Sequence, residues 1–125
     1  MQPIQLSSCL TVRKNKKGRS LYATMSIDKG EIIERSPVLV LPNDETRGKV
    51  IVNYRWYWGR RHSAIVLGLG SLFNHNDDPN VEWYPKFDAQ VMVFKAKKDI
   101  APWEELLVNY GPNYCFKPLP AEKIR

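Results

Sequence analysis

The 125-residue sequence holds only two cysteines, Cys9 and Cys115, and two histidines, His62 and His75. Two cysteines are too few for a disulfide framework and read as free thiols in a reducing compartment. These four residues lack the paired spacing of a zinc site, and Asp77-Asp78 beside His75 fits no calcium loop, so no metal is expected. No apolar run approaches the roughly eighteen residues of a membrane span. The opening MQPIQLSSCL has no charged region leading into a long apolar segment. The chain therefore reads as soluble and intracellular, cytoplasmic or, in a eukaryote, nuclear, with no membrane partner. Internal repeats and low-complexity linkers are also lacking, and one domain over residues 1–125 is expected.

What is present is a globular balance, 43% hydrophobic and 26% charged, so neither disorder nor a fibrous class is indicated. Nine prolines and four tryptophans point to turns and short elements rather than long helices. Nineteen Lys and Arg against thirteen Asp and Glu leave a net charge of +6, which favours approach to polyanions or acidic surfaces. A solvated hairpin tip explains the densest basic run, RKNKKGR at 13–19, at least as well as a phosphate-binding patch does. Short apolar runs bounded by turn residues predict strands at 10–12 and 21–24, at 31–35 and 37–42, and near 105–110. A hairpin is expected with 81–84 running out, 85–88 turning and 89–94 returning. Residues 50–58, VIVNYRWYW, suit a short helix or a strand. The whole is mainly β with little helix.

One stretch resists a structural explanation. The apolar run ending in Phe73 turns abruptly into NHNDDPN, and a plain surface turn has no need of Phe73-Asn74-His75. Two further segments complete the pattern, KGRSLYA at 17–23 and ELLVNYG at 105–111, with Pro79-Asn80 between them. Together these resemble the SET-domain protein lysine methyltransferases, in their compact form without the zinc-binding cysteines that follow the domain. The resemblance runs from about residue 10 to 116 and leaves 117–125 as a tail. It implies several small curved sheets with a knot-like crossing near the C-terminus, and S-adenosylmethionine as cofactor. By this likeness Tyr110 is the catalytic tyrosine, beside the transferring methyl group. Lys17, Gly18, Arg19 and Ser20 lie around the cofactor through their backbone. Asn74 and His75 meet its methionine part, Pro79-Asn80 closes the turn, and Phe116 or Tyr114 closes the site. Tyr54, Tyr57, Val108 and Tyr114 belong to the substrate channel. Ser20 departs from the family's usual second glycine.

The residues suit that chemistry. Methyl transfer from a sulfonium to an amine needs alignment, exclusion of water and a neutral amine. Alignment alone is worth about 7–11 kcal/mol. A tyrosine hydroxyl can orient the amine while aromatic faces attract a cationic substrate. The partner implied is a protein carrying a target lysine, histone-like in charge, which a +6 chain would bind through a locally acidic groove. Glu31, Glu34, Asp77, Asp78, Glu104 and Glu105 are the candidates for it. A homodimer that completes the site is compatible with so small a domain. Two other readings stand beside this one: a non-catalytic module that binds peptide or cofactor, and a single-stranded nucleic-acid platform built on the aromatics and arginines of residues 54–61.

Overall fold

The structure, a computed structural model, describes residues 8–111, so Tyr114, Cys115 and Phe116 lie outside the described residues. Strands β1 (Leu10–Asn15) and β2 (Gly18–Ala23) form the first hairpin, with Leu10 opposite Ala23 and Asn15 opposite Gly18. Its tight end is local chemistry. Asn15 Oδ1 accepts the Lys17 N–H at 2.8 Å, and Gly18 takes φ +103°, a left-handed value that side chains resist.

Strand β3 (Ile32–Pro42) is one continuous element where the sequence suggests two. It changes partner at Pro37: residues 32–37 pair with β8 (Val91–Ala96), and residues 38–42 pair with β5 (His62–Val66). Proline's missing N–H therefore falls at a hand-over between ladders. Residues 50–58 divide into a 3-10 turn, Ile51–Asn53, and a short strand β4 (Arg55–Tyr57) that pairs with β5.

The second hairpin is longer than its sequence suggests. In β7 (Val81–Lys86), Pro85 stays in register opposite Met92, and the chain reverses after Lys86. β7 is an edge strand, where a proline need not break a ladder bond. Among the described residues, one sheet runs β4-β5-β3-β8-β7. The other joins the first hairpin to β9 (Glu105–Val108) and β6 (Asn74–His75), in the order β1-β2-β9-β6. β6 and β9 run parallel, Asn74 beside Leu107 and His75 beside Val108. No helix among the described residues is long and apolar enough to cross a membrane.

The core fills the space between the sheets. Leu21, Phe73, Met92, Phe94 and Leu106 are wholly buried, and the rings of Phe73 and Phe94 stack with centroids 4.5 Å apart. The 3-10 turn Gly68–Leu72 carries the chain from β5 into Phe73, and it passes so close to the core that Gly70 has no room for a side chain. A Cβ at Gly70 would lie 2.5 Å from Phe94 and 2.9 Å from Val66, and would overlap Ser36 Oγ. Gly70→Ala is therefore expected to destabilise the fold by about 3 kcal/mol, a melting-temperature drop on the order of 10 °C in a calorimetric scan. An unchanged melting temperature would mean that the turn shifts freely.

Candidate active site

Tyr110 follows β9 and is held from three directions. Its N–H donates to His75 Nδ1 at 3.0 Å, its hydroxyl donates to the Phe73 carbonyl at 2.7 Å, and its ring meets Trp56 edge-on at 5.5 Å. Trp83 fixes the approach, since its indole N–H donates to the Asn109 carbonyl at 2.6 Å. Burial pushes the Tyr110 phenol up to about 12, so at neutral pH it is uncharged. Because His75 Nδ1 accepts a bond, its proton sits on Nε2, which faces Asp77 Oδ1 at 2.8 Å.

A second cluster joins the three motif segments. Ser20 is wholly buried; its Oγ donates to Glu105 Oε2 at 2.5 Å and accepts from Asn15 Nδ2 at 3.0 Å and from Asn74 Nδ2. Asn74 Nδ2 also donates to the Arg19 carbonyl at 3.0 Å. Lys17 Nζ lies 3.2 Å from Glu105 Oε1. Burial opposes ionisation of Glu105, but the bonds from Ser20, Lys17 and Asn15 and the lysine charge outweigh it and hold the carboxyl below its usual range. Asn80, largely buried, works like an extra strand partner for β9: its Nδ2 donates to the Glu105 carbonyl and its Oδ1 accepts the Leu107 N–H, both at 2.8 Å.

Tyr110 opens onto a cleft of about 930 Å³. Tyr54, Trp56 and Tyr57 line it together with Trp83, as do Arg47, which pairs with Asp44 at 3.0 Å, and Arg55, which donates to Thr46 Oγ1 at 3.2 Å. Val108 is wholly buried in β9 and gives the cleft no surface. The described residues lining the cleft include no Asp or Glu. None of the six carboxylates that were candidates for an acidic groove lines this cleft: Asp77 faces His75, and Glu31 accepts the Asp28 N–H. Glu34 is buried beside Ser36, Glu105 pairs with Lys17, Asp78 pairs with Lys98, and Glu104 accepts from Asn80.

A family profile for the SET domain matches residues 18–111. The chain belongs to the SET-domain family. It is 33% identical over 106 residues to the histone-lysine N-methyltransferase, H3 lysine-37 specific, of Schizosaccharomyces pombe, spanning 82% of this chain and 72% of that one. Among solved structures, a Plasmodium falciparum protein assigned as a histone methyltransferase superposes with TM-score 0.73 at 30% identity, over 89% of this chain and 98% of that one. The Chaetomium thermophilum Polycomb Repressive Complex 2, autoinhibited and bound to S-adenosylmethionine, shares the fold with TM-score 0.71. That likeness is 24% identical and covers 87% of this chain and 16% of its own.

In this SET domain the serine in place of the second glycine meets no backbone obstacle. Ser20 lies within β2, and the described non-glycine residues with positive φ are Gln90 and Trp103. Sequence reasoning missed Asn15 and Trp56. Asn15 looks like an ordinary hairpin-turn residue, and Trp56 is hidden in an aromatic run whose inward face becomes visible only once β4 is known to be a strand. A depressed carboxyl stabilises the fold above its unfolded pKa and loses that contribution as pH falls through its folded value. Glu105→Gln should therefore cost on the order of 2 kcal/mol at pH 7, with the gap to wild type closing in acid. Urea titrations at a series of pH values test this, and a gap independent of pH would refute the ionised cluster.

Proposed function

We propose that this lysine methyltransferase uses S-adenosylmethionine and acts on a histone-like protein tail, with Tyr110 at the site of transfer. The observation that carries the reading is the position of Tyr110, pinned between Phe73 and His75 and open to an aromatic cleft.

The residues present fit the cofactor. Its amino group needs an acceptor, and Asn74 spends its Nδ2 on Arg19 and Ser20, leaving Oδ1 for that role. The aromatic rings around Tyr110 suit a sulfonium. Asn74, His75 and the 17–20 segment would hold the methionine part, and bound there the cofactor supplies an electrophilic methyl group. The remaining steps belong to the protein. Tyr54, Trp56 and Tyr57 take the entering lysine out of water, and that desolvation disfavours its protonated form. With its hydrogen committed to Phe73, the Tyr110 oxygen is an acceptor that can hold an amine N–H in line.

The histone target of the Schizosaccharomyces pombe relative makes a histone tail the first substrate to test. The aromatic segment at 54–58 is taken up by the cleft and by the core, where Trp58 is buried against Phe87. That use favours the enzyme over a nucleic-acid platform at the same residues.

Tyr110→Phe is expected to lower radiolabelled methyl transfer about a hundredfold or more while calorimetry shows cofactor binding retained. Asn74→Ala should weaken cofactor binding itself. Both variants need wild-type circular dichroism. Unchanged transfer in the first together with unchanged affinity in the second would overturn the site.

A further inference from the structure

Methyl transfer leaves the 13–16 part of the basic run unused. Arg13, Lys14, Lys16 and Arg19 are exposed on the first hairpin. Beside them Arg13, Lys14, Tyr22 and Trp103 line a separate groove of about 470 Å³. Trp103 sits in the turn that leads into β9. The Glu104 N–H donates to the Ala101 carbonyl at 3.2 Å, Pro102 holds the second position, and Trp103 in the third has φ +69°. That is the form of a type II turn, whose third position suits glycine.

The fold imposes this conformation, because the Trp103 N–H donates to the Ala23 carbonyl at 2.8 Å and the Ala23 N–H donates to Glu104 at 3.0 Å. Yet the position is filled by the largest side chain, 58% exposed and outside the core. The Arg13 guanidinium lies 5.3 Å over its ring. Neighbouring carboxylates are turned to other partners, Glu104 to Ala101 and Asn80, Glu105 to Lys17 and Ser20. A strained, exposed indole under one guanidinium, in a groove shared with a lysine, is surface chemistry rather than packing.

We infer that this groove binds single-stranded nucleic acid. An unpaired base stacks on Trp103 and Arg13, Lys14 meets a flanking phosphate, and Lys16 and Arg19 extend the positive charge along the hairpin. Duplexes and acidic polypeptides offer the charge but no free ring, so the exposed indole selects the single strand.

The test is fluorescence anisotropy of the full chain with short labelled oligothymidine over a range of salt. Wild type should bind with a strong salt dependence. Trp103→Gly, which relieves the turn and should keep the melting temperature, is expected to weaken binding about tenfold. Lys14→Gln, which removes one phosphate contact, should reduce the log–log salt slope by about 0.7. Methyl transfer to a free peptide should stay unchanged in these variants. Absent binding, wild-type affinity in Trp103→Gly, or equal competition by duplex or polyglutamate would overturn the proposal.

Discussion

Two residues, Asn74 and His75, pair in parallel with β9, and the site depends on that contact. It joins segments more than thirty positions apart, through a strand too short to be stable alone. Side chains do the rest of the work. Asn74 reaches back to Arg19 and Ser20, His75 reaches across to Tyr110, and Asn80 grips the far side of β9. Two backbone ladders on β9, from β6 and from β2, thus set the places of three sequence motifs. The tyrosine is consequently positioned by the whole fold rather than by its own strand.

The cluster around Glu105 shows how polar residues can be buried next to a site without loss. Ser20 has one donor and accepts from two amides, so its hydroxyl is fully used. Glu105 brings charge, and Lys17 answers it. Such a network is stable only when complete, because a missing partner leaves a desolvated polar group. It ties the hairpin carrying the basic run to the strand carrying the tyrosine. Ser20 therefore strengthens the region where a glycine would only have left room.

Much of this was legible in the sequence, for identifiable reasons. The hairpins could be read because β-branched runs ended in turn residues, and the motif pair predicted which segments would meet. Boundaries were harder wherever tertiary pairing overrode local chemistry. Pro37 and Pro85 look like breaks, but one sits at a change of strand partner and the other on a sheet edge. Trp56 became a cleft residue only through three edge-on aromatic neighbours, Trp83, Phe94 and Tyr110, that no local pattern foretells. Among the described residues the candidate carboxylates do not line the Tyr110 cleft, since each takes a partner of its own.

The charge of the cleft bears on chemistry as much as on recognition. A lysine in water is almost wholly protonated at neutral pH and cannot attack a methyl group. Carboxylates in the cleft would bind the ammonium better and hold it in that unreactive form. On the proposed function, aromatic walls would do the opposite: ring faces draw the cation in, while lost water favours its neutral form. Ground-state affinity at the lysine is thereby traded for reactivity, as expected where only interactions stronger in the transition state accelerate the step. On that proposal, tight substrate binding would come from the residues flanking the target lysine, with specificity set by the surroundings of the cleft and rate by its floor.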